Sequence, residues 1–506
     1  MRVKKPGHHM LIEYRCVAQW APLAWIARCP AKRETITLWH GGQVETRAEW
    51  FCEATWPGAF DEGNFDRTDL VAGTGGRYRD NVITFVAPGN TVDRILSLQT
   101  ANGLLVSNSL PCLLAVSGAT LDPTYPRYYE DFTSVIHGLS AYKRTLATSL
   151  GNIHITMFGF VTWDGRETVF ASRDVMWRDF SSFARYGQFL QENLSAMARN
   201  IADPGRKQRY RLLATASSGY DSPAIAALAR VAGCKEALCI DKDRFGEAEN
   251  GEQVAIHLGL RPIHVTREAW RELEGAEIPF IAADGTAEAV PLSSAGADLT
   301  GSVLLTGYHG DKVWAKDTKD LSENIVRGDA SGLSLSEYRL WAGFIHCPIT
   351  FWGVQQIRDI NRVSNSEEMR LWDIPGEYSR PIPRRIAESA GVPRDAFGIV
   401  KRASAVAFTE FLSPASLKLY RDWLRKHRIE WLKHGRLPPP LSEDYERLAS
   451  RTFDTVEAAL HKTPLLWRLA PENSLARPSR LRRHAFAWAV SEVSTRYRRY
   501  FDDGPV

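Results

Sequence analysis

The sequence predicts a mixed α/β protein with a β-rich N-terminal part, a central part built on a parallel sheet and a largely helical C-terminal part. Up to about residue 180, short runs that alternate apolar and polar residues are separated by glycine, proline and asparagine, which is typical of paired strands. From about residue 182 to 270, short apolar runs alternate with helix-like stretches, which indicates βαβ units and a parallel sheet. After one more strand the pattern becomes mostly helical.

The individual elements follow from the spacing of the apolar residues. In the β-rich part, strands are predicted at 82–86 and 153–157, among others. In the central part the pattern predicts, in order, a helix at 186–200, a strand at 212–216, a helix at 223–232, a strand at 237–240, a helix at 251–258, and strands at 262–265 and 303–306.

Length predicts two or three domains, because 506 residues exceed what one core conveniently holds, and these changes of pattern divide the chain into three. We expect a β-rich domain over 1–180, an α/β domain over 181–435 and a helical, basic segment over 436–506, which opens with prolines 438–440. Arginines and aromatic residues interleave near the C-terminus. We favour an amphipathic helix packed on the protein there over a docking helix for an acidic partner.

Charge and composition exclude several function classes. Lys and Arg total 63 against 59 Asp and Glu, so the net charge of +4 gives no case for a nucleic-acid partner. The absence of about 18 uninterrupted apolar residues predicts no membrane insertion. Seven cysteines without a CxxC pair argue against a zinc ribbon or a disulfide framework, and Glu13 and Arg15 fall where an export signal should be apolar. We expect a soluble, cytoplasmic protein.

An anion site is predicted where the strand at 212–216 runs into a turn of serine and glycine. Pro223 suits the first turn of the following helix, with Asp221 or Ser222 as its cap. Backbone N–H groups and the hydroxyls of Ser217, Ser218 and Ser222 would point at phosphate oxygens. Asp221 could hold Mg²⁺ against the bound phosphates. The Walker pattern GxxxxGK[ST] is absent from this loop, which argues against a kinase-like or GTPase-like site.

A second carboxylate follows the strand at 303–306. That strand delivers Asp311 to a glycine-containing loop, where it could share a divalent ion with Asp221. Two carboxylates at the carboxyl ends of parallel strands, facing one triphosphate, suit the release of pyrophosphate.

These segments resemble a known family. The run LLATASSGYDSP at 212–223 resembles the SGGxDS pyrophosphate loop of the PP-loop ATP pyrophosphatases, and its surroundings resemble the synthetase domain of the asparagine synthetase family. Ser218 stands where the family has its first glycine. The run at 247–260 resembles the family's segment ending in "vA..lG", and VLLTGYHGDK at 303–312 resembles its strand followed by SGxGxDE, with Lys312 in place of the family's acidic residue.

The resemblance implies an N-terminal Ntn-glutaminase-like sandwich, here degenerate, followed by a PP-loop synthetase domain with a largely helical C-terminal part. It implies ATP and Mg²⁺ as cofactors, with Asp221 and Asp311 as metal ligands. Lys401 matches a lysine that contacts the adenylate and the departing pyrophosphate, while Arg384, Arg385 and Arg394 are weaker candidates for clamps. The implied residues for ATP and pyrophosphate binding are Ala216, Ser217, Ser218, Gly219, Asp221, Ser222, Ile240 and Gly307.

Two departures from asparagine synthetases point to a branch of the family. Tyr308 stands where those enzymes carry glutamate, which resembles the β-lactam and carbapenam synthetases, where a Tyr–Glu dyad deprotonates an amine. The partner of Tyr308 would be Glu337 or, as a weaker candidate, Glu323. Glutamine-hydrolysing members begin with cysteine after the initiator methionine, whereas Arg2 follows Met1 here. The lasso peptide macrolactam synthetases share this arrangement.

We therefore expect an AMP-forming amide ligase that adenylates a carboxylate, releases pyrophosphate and passes the acyl group to an amine, without its own glutaminase activity. Its substrate would be a small-molecule or peptide carboxylate with an amine donor, with intramolecular cyclisation favoured and partner proteins of a biosynthetic pathway implied. The alternatives are asparagine synthesis with external ammonia and a non-catalytic scaffold relative, which Ser218 and Lys312 favour. A third alternative, RNA thiolation or lysidine-type chemistry, is disfavoured because the sequence lacks the basic RNA-binding module and the catalytic cysteine pair that such enzymes need.

Overall fold

The strands in the part of the chain that the structure describes form three sheets. A computed structural model describes residues 11–31, 35–243, 246–375, 378–398, 412–429 and 484–501. The strands within these ranges are β1 Leu11–Cys16, β2 Trp25–Pro30, β3 Thr35–His40, β4 Glu45–Thr46, β5 Trp50–Thr55, β6 Ala72–Arg79, β7 Val82–Val86, β8 Ile95–Thr100, β9 Gly103–Ser107, β10 Thr145–Thr148, β11 Gly151–Thr156, β12 Gly159–Trp163, β13 Thr168–Ser172, β14 Arg211–Thr215, β15 Glu236–Ile240, β16 Arg261–Val265, β17 Ser302–Thr306 and β18 Ile345–Pro348.

Helices surround these sheets. The α-helices of the described ranges are α1 Leu110–Ser117, α2 Tyr128–Thr133, α3 Phe183–Ile201, α4 Asp221–Val231, α5 Gly251–His257, α6 Ile278–Asp284, α7 Gly296–Leu299, α8 Gly310–Val313, α9 Leu335–Ala342, α10 Ile357–Ser364, α11 Pro381–Ser389, α12 Pro414–Lys426 and α13 Ala485–Arg498. Short 3₁₀ turns lie at Asn64–Arg67, Ser134–His137, Ala269–Glu272, Val290–Ala295, Ile349–Phe351, Val354–Gln356 and Glu367–Trp372. No helix in the described ranges is long and apolar enough to cross a membrane.

Two sheets make up the β-rich N-terminal part. One has seven strands in the order β1-β3-β2-β9-β8-β11-β10, and the other has six in the order β13-β12-β7-β6-β5-β4. A shared core joins them, in which Trp25 of the first sheet contacts Phe51 and Phe85 of the second, at ring-centroid distances of 5.0 and 6.1 Å. The alternation of apolar and polar residues that predicts strands therefore buries one face of each sheet against the other.

The third sheet is entirely parallel, as the βαβ pattern predicts. Its order is β16-β15-β14-β17-β18, and Ala214 of the central strand pairs with Ala237 on one side and Leu305 on the other. Leu212 and Leu305 face the core that contains α3, α4 and α5, whereas Leu213 and Leu304 face the core that contains α6, α9 and α13. Helices therefore cover both faces, which explains the unbroken apolar runs in the central strands β14 and β17.

The C-terminal helix α13 packs on both parts of the molecule. It contacts α1 of the N-terminal part and α6 beside the parallel sheet. Phe486, Trp488 and Tyr497 on this helix are fully buried, and Trp20 of the N-terminal part donates a hydrogen bond to the Tyr497 carbonyl at 3.0 Å. This confirms the amphipathic helix packed on the protein. Residues 430–483, which include prolines 438–440 and the predicted boundary at 435, lie outside the described ranges.

The predicted strands and helices of the central part are confirmed, with bounds shifted by a few residues. The mostly helical pattern expected after residue 306 needs one correction, because β18 adds an edge strand beside β17. Its residues, Ile345 to Pro348, are buried, and they are too few to show a periodicity in the sequence. All seven cysteines lie in the described ranges and are free thiols.

Candidate functional site

The first predicted loop lies between β14 and α4, at the carboxyl edge of the parallel sheet. The hydroxyls of Ser217 and Ser222 share a hydrogen bond of 2.5 Å, and the Gly219 N–H donates to the Ser217 hydroxyl at 3.2 Å. The Ala216 N–H donates to the Leu238 carbonyl of β15 at 2.9 Å, which fixes the start of the loop to the sheet. The small polar residues thus fold the loop on itself at the end of β14.

The start of α4 differs from the expected cap. Asp221 is the first residue of the helix rather than its cap, and Tyr220 takes the N-cap position without a capping hydrogen bond from its side chain. The helix begins earlier than its proline suggests because the turn itself continues into helical geometry at Tyr220. Tyr220 contributes no capping hydrogen bond from its side chain, and the positive end of the α4 dipole lies at this loop, where it favours an anion.

The second loop, after β17, presses directly against Asp221. A Cβ added to Gly307 would lie 2.7 Å from the Asp221 Cβ, and one added to Gly310 would lie 2.6 Å from its Cγ. Only glycine allows this approach. The two loops meet because β14 and β17 are neighbouring parallel strands, whose carboxyl ends share one edge of the sheet.

His309 holds a conformation that favours glycine. Its φ of +74° lies in the left-handed region. The ring is buried and stacks on Phe351 with ring centroids 4.9 Å apart, and neither ring nitrogen has a hydrogen-bond partner among the described residues. Burial, reinforced by the charge of Arg327, lowers the pKa of His309 to about 3, so the imidazole is neutral. Sequence reasoning missed this residue.

The carboxylates of Asp221 and Asp311 each face a cation. Arg380, just before α11, donates from Nη1 to Asp221 Oδ2 at 2.6 Å, and Lys312 Nζ lies 3.5 Å from Asp311 Oδ2. Burial alone would disfavour the charged form of Arg380, but the charges of Asp221 and Asp311 and the hydrogen bond to Asp221 hold its pKa above the ordinary value. Both carboxylates therefore act on the same guanidinium. The sequence gives no signal for the pairing of Arg380 with Asp221, because an arginine before a proline at the start of a helix is an ordinary feature.

The backbone of Ser218 has a partner from the next βα connection. Its N–H donates to Glu249 Oε1 at 2.5 Å, and its carbonyl accepts from the Gly398 N–H at 2.8 Å. Ile240, the last residue of β15, is partly buried at the same edge of the sheet. The structure thus brings the predicted loop residues together with Gly307 and Asp311, and it adds Glu249, which sequence reasoning quoted only within a longer run.

Tyr308 lies on the second loop between Gly307 and His309. Burial raises its pKa to about 12, and the charge of Glu288 acts in the same direction. The ring stands edge-on to His346 with centroids 5.6 Å apart. Glu288, whose charge acts on this phenol, precedes the second loop, and no motif indicated it.

Glu337 requires a correction, because the structure does not pair it with Tyr308. Its Oε2 accepts from the Ser109 hydroxyl at 2.7 Å, and its Oε1 accepts from Trp341 Nε1 at 3.0 Å and from the Tyr497 hydroxyl at 2.9 Å. Both oxygens are thus engaged where α1, α9 and α13 meet. The physical reason is that α9 directs this side chain toward α1 and α13, where Ser109 and Tyr497 donate to it. The alternative, Glu323, is exposed.

The remaining cationic candidates differ in position. Arg384 is buried and donates from Nη2 to the Tyr220 hydroxyl at 2.9 Å, beside the first loop. Arg385 pairs with Glu368, and Arg394 shares Glu388 with Arg384. Lys401 lies outside the described residues, so the structure gives it no position.

The chain was compared with known proteins. No family model matches it, and a search of the curated proteins gives no match either.

Within the described residues, no group of three or more His, Cys, Asp or Glu side chains is arranged to hold a metal ion. A cation at this edge of the sheet would therefore rest on the two carboxylates Asp221 and Asp311, together with oxygens supplied by a ligand.

Proposed function

We propose that this protein is an ATP- and Mg²⁺-dependent amide ligase similar to the asparagine synthetases, in which a carboxylate is adenylated and then transferred to an amine. In this proposal the parallel sheet is a PP-loop synthetase domain, and the two N-terminal sheets are a glutaminase-like sandwich. The amine partner is a second substrate or a group within the same peptide or small molecule.

The observation that carries the proposal is the contact between the two loops. The serine-rich turn offers N–H and hydroxyl donors, and Gly307 and Gly310 hold the loop of Asp311 against Asp221. An anion-binding turn and two nearby carboxylates form the combination that a metal-bound triphosphate needs. The candidate site also lies outside the carboxyl ends of parallel strands, where ligands of open α/β sheets bind.

The donor set suits magnesium. Two carboxylates are typical of Mg²⁺ sites, which take the remaining ligands from phosphates and water. When bound at Asp221 and Asp311, the ion would offset negative charge on the pyrophosphate leaving group. Arg380 and Lys312 already lie beside these carboxylates. They would then be free to turn toward the phosphates.

The reaction divides into two steps. In the first, a substrate carboxylate oxygen bonds to the α-phosphorus of ATP, and the bond from that phosphorus to the bridging oxygen of pyrophosphate breaks. The loop N–H groups and the hydroxyls of Ser217 and Ser222 would donate to the phosphate oxygens as this charge develops. In the second, an amine nitrogen bonds to the acyl carbon, the bond to AMP breaks, and the amine loses a proton.

Tyr308 is the proposed group beside the amine. Burial keeps the Tyr308 phenol protonated, so the phenol cannot take the amine proton by itself. A carboxylate would have to accept the phenol proton while the phenol takes the proton of the amine. Glu337 does not supply this carboxylate, because its two oxygens accept from Ser109, Trp341 and Tyr497. The test is Tyr308→Phe, which should slow amide formation while ATP binding is retained.

Titration calorimetry of Mg²⁺-ATP tests the first requirement of the proposal without knowledge of the carboxylate. The parent should bind, and Asp221→Asn should bind roughly tenfold or more weakly, since it removes a charged contact. Asp203→Asn is the matched control, because this residue lies before β14, at the opposite end of the strand. Binding by neither parent nor control would refute the proposal.

One observation favours a second candidate, a non-catalytic scaffold relative. The Ser218 N–H, Asp221 and Asp311 all have partners from the protein itself, namely Glu249, Arg380 and Lys312. A site that satisfies its own charges needs no ligand to be stable. The same titration decides, because a scaffold would bind no Mg²⁺-ATP in any variant.

A further inference from the structure

Glu249 lies in the connection between β15 and α5 and reaches into the serine-rich turn. Its Oε1 accepts from the Ser218 N–H at 2.5 Å and from its neighbour's N–H, at Asn250, at 3.1 Å. One carboxylate oxygen thus takes two backbone donors in the turn region. A carboxylate bound by backbone N–H groups resembles a bound phosphate oxygen in charge and in geometry.

The two carboxylates of the site, Asp221 and Asp311, are also paired with cationic side chains of the protein itself. Arg380 Nη1 lies 2.6 Å from Asp221 Oδ2, and both side chains are mostly buried, with exposed fractions of 9% and 18%. Lys312 Nζ lies 3.5 Å from Asp311 Oδ2 and is more exposed, at 41%. An anionic group therefore occupies the place suited to phosphate, and cationic groups occupy the places suited to a metal ion.

We propose that the site is self-closed in the free protein, with Glu249 acting as an internal competitor for the phosphate position at Ser218. This inference rests on the proposed function. Because Mg²⁺-bound pyrophosphate and Glu249 need the same N–H group, each must exclude the other. Binding then includes the cost of displacing the Glu249 side chain.

The displacement is sterically simple. Glu249 is partly exposed, and within the described residues its carboxylate accepts hydrogen bonds only from the N–H groups of Ser218 and Asn250. Its backbone N–H is held by the Asp241 carbonyl at 2.9 Å, so the chain can stay in place while the side chain rotates to solvent. The competition is therefore local and reversible.

The effect of removing the competitor has a definite sign. Glu249→Gln keeps the size and an acceptor oxygen but removes the charge, whereas Glu249→Ala removes both. A hydrogen bond to a charged acceptor typically contributes enough to change an equilibrium by about tenfold or more. Both variants should bind pyrophosphate more tightly, by about tenfold, and Glu249→Gln should show most of the gain if charge is what competes.

The experiment is titration calorimetry of inorganic pyrophosphate with Mg²⁺ into the full chain and its variants. Glu252→Gln is the matched control, because Glu252 lies three residues further on and faces His264 at 3.8 Å. Tighter binding by both Glu249 variants, with Glu252→Gln equal to the parent, is the expected result. Unchanged affinity overturns the inference, and weaker binding would make Glu249 part of the binding site instead of its competitor.

Failure of this inference is distinguishable from failure of the proposed function. If the parent binds, Asp221→Asn binds more weakly and the Glu249 variants match the parent, then only the self-closure is wrong. If neither the parent nor the Glu249 variants bind, both ideas are refuted, because opening the turn then exposes no anion site.

Discussion

At the scale of single residues, the candidate site depends on the absence of side chains as much as on their presence. Gly307 and Gly310 allow the second loop to touch Asp221, and any Cβ at either position would require that residue to move. His309 between them bears a left-handed φ, so the loop keeps a glycine-like backbone at a position that is not glycine. The loop conformation is therefore set by its packing, which overrides local preference.

Asp284, at the end of α6, provides a residue-scale prediction about pH. Its buried carboxylate accepts from the Thr286 N–H at 2.7 Å, and burial raises its pKa to about 6. A raised pKa gives stability that is fully present below the unfolded value, near 4, and is lost as pH rises through about 6. Asp284→Asn does not titrate. Between pH 4 and 7 the parent should therefore lose on the order of 3 kcal/mol of unfolding free energy that Asp284→Asn does not lose.

Urea unfolding of both proteins at several pH values measures this difference. Asp203→Asn serves as the control, because Asp203 is a partly exposed carboxylate. A difference between the parent and Asp284→Asn that stays constant over this range would contradict the prediction.

At the scale of elements, a buried ion pair joins strand β5 to helix α9. Arg339 donates to Glu53 at 2.5 and 3.0 Å, and its Nε lies 2.9 Å from Asp93 Oδ2, with all three side chains almost fully buried. Because such charges are costly when unpaired, the pair fixes how the N-terminal sheets meet the parallel sheet rather than adding much net stability.

Arg339→Met tests this role. The substitution leaves Glu53 and Asp93 buried without their cation, so it should lower the free energy of unfolding by roughly 3 to 5 kcal/mol. The urea midpoint reports the loss. Arg362→Met is the matched control, because Arg362 forms a 2.8 Å bridge to Asp359 on α10 but is 76% exposed, and its loss should cost less than about 1 kcal/mol. Equal effects of both substitutions would show that the buried pair does not join the two parts.

At the scale of the whole molecule, the last described helix, α13, packs between the two parts of the chain. It packs against α1 and α6, and the Tyr497 hydroxyl on this helix binds Glu337 of α9. The C-terminal helix thus ties the β-rich part to the helices that cover the parallel sheet. This is why Glu337, expected at the candidate site, is instead held within the helical core.

Trp488→Ala tests whether α13 joins the two parts. The indole is fully buried, so its removal should cost roughly 3 to 5 kcal/mol of unfolding free energy. Because α13 contacts both parts, amide hydrogen exchange should increase in β9 and α1 as well as in α6. Tyr500→Ala, at a residue that is 40% exposed, is the control and should change stability by about 0.5 kcal/mol or less. An increase in exchange confined to α6 would contradict a joining role.

Much of the α/β part could be predicted because its signals are local. The strand before the serine-rich turn and the helix after it follow from a short apolar run, small polar residues and a proline. Strand β18 escaped prediction because four buried residues show no periodicity. His309 escaped because a left-handed φ at a residue other than glycine is imposed by surroundings that one segment does not contain.

By itself, the sequence determined the order of strands and helices between residues 183 and 306, the parallel arrangement of the strands there and the positions of the two loops, since periodicity and turn chemistry act over a few residues. Only the tertiary structure decided the partners of the charged groups. Ser218 meets Glu249 across 31 positions, Asp221 meets Arg380 across 159, and Glu337 meets Tyr497 across 160. A carboxylate accepts from whichever donor packing brings within about 3 Å, and that choice depends on the whole folded chain.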